Sequence, residues 1–384
     1  MTRLLSIWLL LVGSAVAAEE NALLQQLKGG VAQAKLVRAT LDDPEQREAY
    51  FRALGALEHG EATQALRGLS KNPSAAAREL LALSAGQPER STRLAAIDVL
   101  PEALGADAVP LLLKLARSGD FRVSESAIIS VGYMKDGRAW SPLLRMLEWE
   151  AASEQDGSTS PRKSGALLKA LATLFGDLGD SRLLNDLLIP IPDALEIERF
   201  GALRLTVIAD SRSQAAVPVL LAVLNDPDDK DTRNSILGLG WDLETQTVLE
   251  AHFGEQSTLR PLRPLPVSWK VIAAQGLAKA RSPRGLQYLV KALEHNDPEL
   301  RLAALRALSS CMPKPRPQDV FDETVAVVLP LLTDGSRKVR DYAWRWLKRE
   351  TKQNLPLSYP QWRRWNERRL QRTAEQAEEE AGQE

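Results

Sequence analysis

Cysteine is nearly absent from this 384-residue chain: Cys311 stands alone. A single cysteine excludes any disulfide within the chain, so packing must hold the fold. Set in an apolar helical context, Cys311 reads as a small core residue. Histidine is scarce too, with His59, His252 and His295. None begins a His-Glu pair or an HExxH, so the helical spacing of a histidine metal site is missing. Aromatics make up 5% of the chain and the charges cancel to a net −1. No whole-molecule field therefore draws the protein to nucleic acid or to a membrane. After the first residues no apolar run approaches the ~20 residues that span a bilayer. Strand-like alternation is missing, and apolar residues recur at three and four positions, the helical period.

The beginning of the chain has a pattern of its own. Arg3 supplies positive charge, Leu4 to Val12 form an apolar stretch broken by Ser6, and Ala15-Val16-Ala17-Ala18 offers small residues for cleavage. This predicts a secretory signal peptide over residues 1–18, cleaved near Ala17 or Ala18. The expected location is periplasmic or secreted. No cysteine follows the cleavage region for lipid attachment.

The rest of the chain repeats itself. Arg93-Leu94-Ala95-Ala96-Ile97 leads to Ala108-Val109-Pro110-Leu111-Leu112. The pattern returns at Ala127-Ile128-Ile129 with Trp140-Ser141-Pro142-Leu143-Leu144, and at Phe200-Gly201-Ala202-Leu203 with Ala216-Val217-Pro218-Val219-Leu220. Each copy reads as a helix, a short polar turn and a second helix. Turn signals stand at Asp136-Gly137-Arg138, Asp180-Ser181-Arg182, Asp210-Ser211-Arg212, Asp242 and Ser282-Pro283-Arg284, where Asp, Ser and Gly cap helices or accept turn geometry. Pro110, Pro142 and Pro218 fit the first turn of the second helix, where a missing N–H costs little. Two spacings are long, and each holds a polar or proline-rich stretch, residues 153–164 and 255–268. With these set aside the period is about 30–34 residues, the signature of a solenoid whose helix pairs bury their apolar faces on one another.

Asp297-Pro298-Glu299-Leu300-Arg301-Leu302-Ala303-Ala304 is the sharpest copy, followed by Asp334 with Val339-Arg340-Asp341-Tyr342-Ala343. Gln87 to Ala96 and Asp120 to Ala127 are weaker versions. These residues resemble HEAT repeats, including their short bilin-lyase-type variety, over roughly residues 40–350. The resemblance implies an all-α fold, an α-α superhelix or HEAT/armadillo-like solenoid of about nine helix pairs. It further implies that the arginine and aspartate bridge adjacent repeats, that the alanines let helices approach, and that second helices line a concave face. The expected domains are a repeat solenoid over 19–350, a Trp/Arg-rich capping helix over 351–372 and a disordered acidic tail over 373–384. HEAT arrays host many functions, so the resemblance says little of chemistry. One enzyme family on this fold, deoxyhypusine hydroxylase, carries repeated His-Glu pairs as iron ligands; here Glu294-His295 is reversed and unrepeated.

Other catalytic patterns fail similarly. Asp226, Asp228, Asp229 and Asp231 resemble a calcium loop, but the sixth position lacks glycine and the twelfth is Leu237. Gly238-Leu239-Gly240 lacks the third glycine of a dinucleotide fingerprint. Neither a nucleophile elbow nor a phosphate-binding loop occurs. The expectation is a protein without catalysis, cofactor or metal.

Charge gathers at one place. Residues 335–372 hold twelve Lys and Arg against three acidic residues. Arg340, Arg345, Trp362, Arg363, Arg364, Trp365 and Arg368 form the candidate binding surface, since arginine grips anions and tryptophan stacks. The reading preferred to a binding surface is a cap, with Trp362 and Trp365 packed on the helix bearing Trp344 and the arginines solvated. The proline-rich stretch Arg260 to Pro266 can serve as an extended ligand or as a plain loop. The expected function is a non-catalytic scaffold or adaptor of the bacterial envelope, binding a protein on its concave face. A bilin-lyase-like chaperone or enzyme, and a module anchored to an anionic envelope polymer through the basic end, are the alternatives. A protein partner is expected, and no nucleic acid. If export occurs, N-terminal sequencing of protein from its native host will start near Glu19; a start at Met1 would refute the signal peptide.

Overall fold

The computed structural model describes residues 42–71, 74–153, 161–179, 181–188, 194–225, 267–313 and 315–381, besides the single position 25. The described residues are helical throughout, with no strand, and none of their helices is long and apolar enough to cross a membrane. Two compact units divide the chain, Met1–Leu174 and Phe175–Glu384. The protein is an all-α solenoid of paired helices.

In the first unit the helices are α1 (Pro44–Gly55), α2 (His59–Ser70), α3 (Ala75–Ser84), α4 (Arg90–Leu104), α5 (Ala108–Ala116), α6 (Phe121–Tyr133), α7 (Trp140–Ser153) and most of α8 (Pro161–Leu178). First helices of successive pairs, α2, α4 and α6, lie against one another. Ala95, Ala96, Ala127 and Ile128 are completely buried there, because small side chains on both helices permit close approach. The approach is closest between α6 and α8, where a Cβ on Gly132 would sit 2.7 Å from the Ala170 Cα.

The second unit holds the end of α8, then α9 (Ser181–Leu188), α10 (Ala194–Asp210), α11 (Val217–Leu224), α12 (Val267–Ala280), α13 (Leu286–Ala292), α14 (Pro298–Cys311), α15 (Gln318–Val328), α16 (Arg337–Thr351) and α17 (Tyr359–Ala381). Its first helices α10, α12, α14 and α16 again stack in order. A Cβ on Gly276 of α12 would stand 2.8 Å from the Ala209 Cα of α10, so these two helices are direct neighbours although 226–266 separate them in sequence. The Asp242 turn, the acidic cluster at 226–231, Gly238-Leu239-Gly240, His252 and the proline-rich stretch lie outside the described residues.

The turns repeat as closely as the helices. Each first helix that ends at Lys135, Arg212 or Arg281 does so with that residue in the left-handed region, φ 57°, 60° and 52°. Asp136, Ser213 and Ser282 follow as the extended residue before a 3-10 turn, Gly137–Ala139, Gln214–Ala216 and Pro283–Gly285. The Asp136 carboxylate and the Ser213 hydroxyl accept backbone N–H bonds at these starts. This corrects one sequence register. Asp210 closes α10, Ser211 and Arg212 make the turn, and the cap is Ser213, three residues after Asp210. Sequence spacing alone favoured the Asp-Ser-Arg triplet because it copies the residue types of 180–182. The predicted insert at 153–164 is also shorter at both ends: Ser153 closes α7 and Pro161 opens α8, with Pro161 in the first turn where its lost N–H costs little. Residues 154–160 lie outside the described part.

Between repeats runs the bridge that the resemblance implied. Arg301 of α14 donates from Nε and Nη2 to the two oxygens of Asp334 at 2.7 and 2.8 Å. Asp334 accepts the Ser336 N–H as well, at 2.7 Å, just ahead of α16. In the first unit Arg90 donates to Asp120 at 2.5 Å, and Asp120 caps α6 through the N–H groups of Arg122 and Val123. Burial alone would raise the Asp334 carboxyl, but hydrogen bonds from Arg301 and Ser336 and the Arg301 charge outweigh it and hold the pKa below the ordinary carboxylate value. A carboxyl depressed in the folded state stabilises above its unfolded pKa of about 3.9. That contribution disappears as pH falls through the lowered value. Arg301→Ala leaves Asp334 buried and unpaired, so it should cost about 3–5 kcal/mol at neutral pH. Its deficit against the unsubstituted protein should narrow toward about pH 3. Urea unfolding at both pH values checks this, and a neutral-pH loss below about 1 kcal/mol would place the pair in the surface class.

Candidate functional site

The predicted basic surface lies on the last two helices, and the structure sorts its residues into three groups. α16 buries Val339, Ala343, Trp346 and Leu347, an i, i+4, i+7, i+8 stripe along one face. Lys352, at φ 58°, ends it. The linker that follows turns its carbonyls inward: Leu355 accepts the Trp344 Nε1–H at 2.8 Å and Pro356 the Trp362 Nε1–H at 2.9 Å. Trp362 is wholly buried and belongs to the core. Trp365 is half-buried and meets Trp362 edge-on, centroids 5.6 Å apart.

α17 rests on the 3-10 turn Leu329–Thr333 and, through Arg369, on α15. Arg369 makes the second contact. Its guanidinium lies over Phe321 and Trp365, pairs with Asp322 and donates to the Asn366 amide oxygen. α17 also runs to Ala381, beyond the expected boundary at 372. Residues 373–381 are mainly Ala, Glu and Gln, strong helix formers that continue a helix begun on packed residues.

Of the remaining candidates, Arg363 is exposed and pairs with Glu367 one turn on, at 2.7 Å. Arg345 is exposed and lies over the Tyr342 ring. Arg364 and Arg368 are exposed, and Arg372 continues their row. Among the described residues none of these three has a carboxylate partner; Arg368 and Arg372 donate only to helix carbonyls. Arg340 is half-buried and donates through Nη1 to the Asp334 and Gly335 carbonyls. The structure thus brings Arg364 and Arg368 together, keeps Arg340 apart on α16, and withdraws Trp362 into the interior.

A second surface escaped sequence reading. In the first unit a cleft of about 470 Å³ is lined by Arg117 at the end of α5, by Pro142, Arg145, Met146 and Trp149 of α7, and by Lys163 of α8. Pro142, Arg145, Met146 and Trp149 recur at three and four residues and so share a face. Opposite stands the core stripe Trp140, Leu143, Leu144 and Leu147, all buried. Trp149 is 63% exposed, the highest value of any large apolar side chain among the described residues. Lys163 pairs with the buried carboxylate of Glu150 at 2.5 Å, and its ammonium lies 5.7 Å from the Trp149 ring centre. The bridge fixes the start of α8 against the end of α7 and forms the cleft wall. Arg117 and Arg145 are exposed, and among the described residues neither has a carboxylate partner. The signal for this site was available in the sequence. Trp149 falls off the apolar stripe of its helix.

The chemistry-bearing residues stand elsewhere. His59 meets Asp98 at 3.1 Å, and His295 accepts the Asp297 N–H on Nδ1 at 2.9 Å; neither lines the cleft. No group of three His, Cys, Asp or Glu gathers among the described residues. Cys311 is buried and donates to the Leu277 carbonyl, and burial pushes its thiol up to about 12, which keeps it protonated at neutral pH.

No protein-family model matches the chain, and no curated protein is similar to it. Solved structures are. An engineered protein shares 18% identity over 87% of this chain and 95% of its own, with a TM-score of 0.28. Human deoxyhypusine hydroxylase in complex with glycerol shares 14% over 89% and 99%, with a TM-score of 0.27. Kap121p shares 11% over 85% of this chain and 45% of its own, with a TM-score of 0.31. At these scores the likeness carries no functional argument.

The burial pattern yields a stability test of the cap. Trp362→Ala should cost about 3–5 kcal/mol, the range for a buried tryptophan, and Trp365→Ala distinctly less. Arg364→Ala with Arg368→Ala should leave the melting temperature nearly unchanged. Thermal unfolding of the three variants decides it, and an undisturbed melt in Trp362→Ala would refute the cap.

Proposed function

We propose that the protein is a non-catalytic scaffold or adaptor of the bacterial envelope or periplasm, a HEAT-type solenoid that holds a protein partner. The observation that carries this reading is the α7 cleft with Trp149 exposed between Arg117 and Arg145. Tryptophan and arginine are the residues that most often anchor protein interfaces. An exposed tryptophan beside exposed arginines has the composition of an interface anchor, and the Glu150–Lys163 bridge holds the cleft ready before any partner arrives. The signal-peptide pattern supports the envelope as the place of action.

A second reading has its own support. Arg364, Arg368 and Arg372 follow one another on α17 about 6 Å apart along the axis, which suits an anionic envelope polymer. The bilin-lyase-like reading draws no support from Cys311, whose thiol is buried, or from His59 and His295.

One experiment separates the first two readings. Tagged protein is purified from its native envelope beside Trp149→Ala and the triple variant Arg364→Ala, Arg368→Ala, Arg372→Ala, all shown to melt alike. The scaffold reading expects a defined set of proteins to be lost with Trp149→Ala and kept with the triple variant. The anchoring reading expects the triple variant alone to lose salt-sensitive retention on an anionic polymer column. Identical protein capture by Trp149→Ala and unsubstituted protein would reject the cleft as the binding site.

A further inference from the structure

The Arg–Asp bridge between repeats does not stop at the last repeat; half of it is present there. Arg301 uses its guanidinium in two parts. Nη1 donates to the carbonyls of His295 and Asn296 in its own turn, at 2.7 Å each. Nε and Nη2 donate side by side to Asp334, which opens the next first helix. Arg340 occupies the matching position of α16, the residue after the buried aliphatic Val339 as Arg301 follows buried Leu300. Its Nη1 makes the matching bonds, to the carbonyls of Asp334 at 2.6 Å and Gly335 at 3.1 Å. The same anchor on the same helix position leaves its Nε and Nη2 without a hydrogen bond among the described residues, although its charge helps to lower the Asp334 carboxyl. Among the described residues no carboxylate meets that edge.

The rest of the row fits an interface. Where α14 has the fully buried Leu305, α16 has the half-buried Trp344, and Lys348 lies one turn further with its ammonium 4.6 Å from the Trp344 ring centre. Arg340, Trp344 and Lys348 are spaced by four and therefore share one face. It is cationic with an aromatic centre. A guanidinium edge with two parallel N–H bonds selects a planar carboxylate over a point charge.

We propose that this row docks an acidic segment of a partner protein, whose aspartate at a helix start takes the Nε/Nη2 edge of Arg340 as Asp334 takes that of Arg301. An apolar side chain of the partner lies against Trp344, and the solenoid is extended by one borrowed element. The proposal rests on the protein-binding reading above but uses a surface separate from the Trp149 cleft.

The test uses the full chain, labelled with nitrogen-15 in arginine, and follows the Nε–H signal of Arg340, assigned by its loss in Arg340→Lys. The probe is a synthetic peptide copying residues 329–345, the segment that meets Arg301, beside the same peptide with Asp334→Asn. The aspartate peptide is expected to shift the Arg340 signal and the asparagine peptide to bind roughly tenfold more weakly, as loss of a charged bidentate pair implies. Trp344→Ala should weaken the aspartate peptide too. Equal binding of both peptides, or an unmoved Arg340 signal, overturns the proposal. So does alginate, a uronate polymer, moving the signal where the peptide does not, since the surface would then belong to glycan. Melting gives a second readout. Arg301→Lys opens an occupied bridge as well as its turn bonds, while Arg340→Lys gives up turn bonds alone, so the melting temperature should fall distinctly more for Arg301→Lys. An equal drop would show that the Arg340 edge is already engaged inside the chain, and the proposal fails. The Arg340 readout is independent of the cleft, so its failure leaves the scaffold reading standing, and loss of the cleft result leaves the Arg340 signal to be judged alone.

Discussion

The pairing of an arginine in one first helix with the aspartate that opens the next is the interaction on which the stacking depends. Apolar packing between alanine- and leucine-rich helices is strong but forgiving, because a one-turn slip along the axis still buries methyl groups. A guanidinium fork meeting both oxygens of one carboxylate has a single geometry. The carboxylate of each bridge is shared with backbone N–H groups at the turn before the next helix, and Arg301 also holds the carbonyls of its own turn. Asp120 and Asp334 both show this sharing, one in each unit. A buried ion pair contributes less to stability than its Coulomb attraction suggests, since both charges must leave water. Its worth here lies in register.

Close approach of the first helices follows from the residue sizes that the bridge sets in line. At Gly132 and Gly276 even one methyl group would collide with the neighbouring backbone. The left-handed residue that ends three of the first helices is a lysine or arginine, although glycine is the cheaper choice there. Their long stems can lie over the turn, a small gain against a backbone cost of about 1 kcal/mol. The αL residue, the Asp or Ser cap and the 3-10 turn form one unit, and three hairpins repeat it.

Much of this was legible in the sequence because it depends on local and periodic signals. The helical period, Pro110, Pro142 and Pro218 in the first turns, and the Asp-Leu-Arg-Ala pattern around Arg301 all report on contacts within about one repeat. The mistakes came where residue type and position part company. Asp210-Ser211-Arg212 has the composition of a turn, but the αL residue is Arg212, so the cap shifts to Ser213. Lys163 reads as part of a polar loop until Glu150, thirteen positions earlier by number, is seen to be its buried partner. The direct contact of α10 with α12 could not be read at all, since it joins residues on either side of 226–266. Trp149 lay in plain view off its helix's apolar stripe, but only the fold shows that Arg117 and Lys163 converge on it.

The two ends of the basic region behave differently for a reason that belongs to solenoids generally. An internal repeat has two faces to satisfy, while a terminal repeat has one covered face and one that must meet water or a partner. α14 is buried on both sides, through Leu300, Ala303, Ala304, Leu305 and Leu308. α16 keeps a single apolar stripe, and its far side carries Arg340, Trp344 and Lys348. A terminal helix selected only for solubility would be expected to lose the bridge arginine, since a charge held to two carbonyls and half-buried gains little from solvent. Arg340 keeps both the residue type and the anchoring bonds of an internal position. Arg340, Trp344 and Lys348 of α16 stand at the positions of Arg301, Leu305 and Ser309 in α14. The tryptophans followed the same division: Trp362 went inward to seal the last pair, Trp344 stayed half-exposed on the row. What the last repeat preserves is therefore the part of a repeat that recognises its successor.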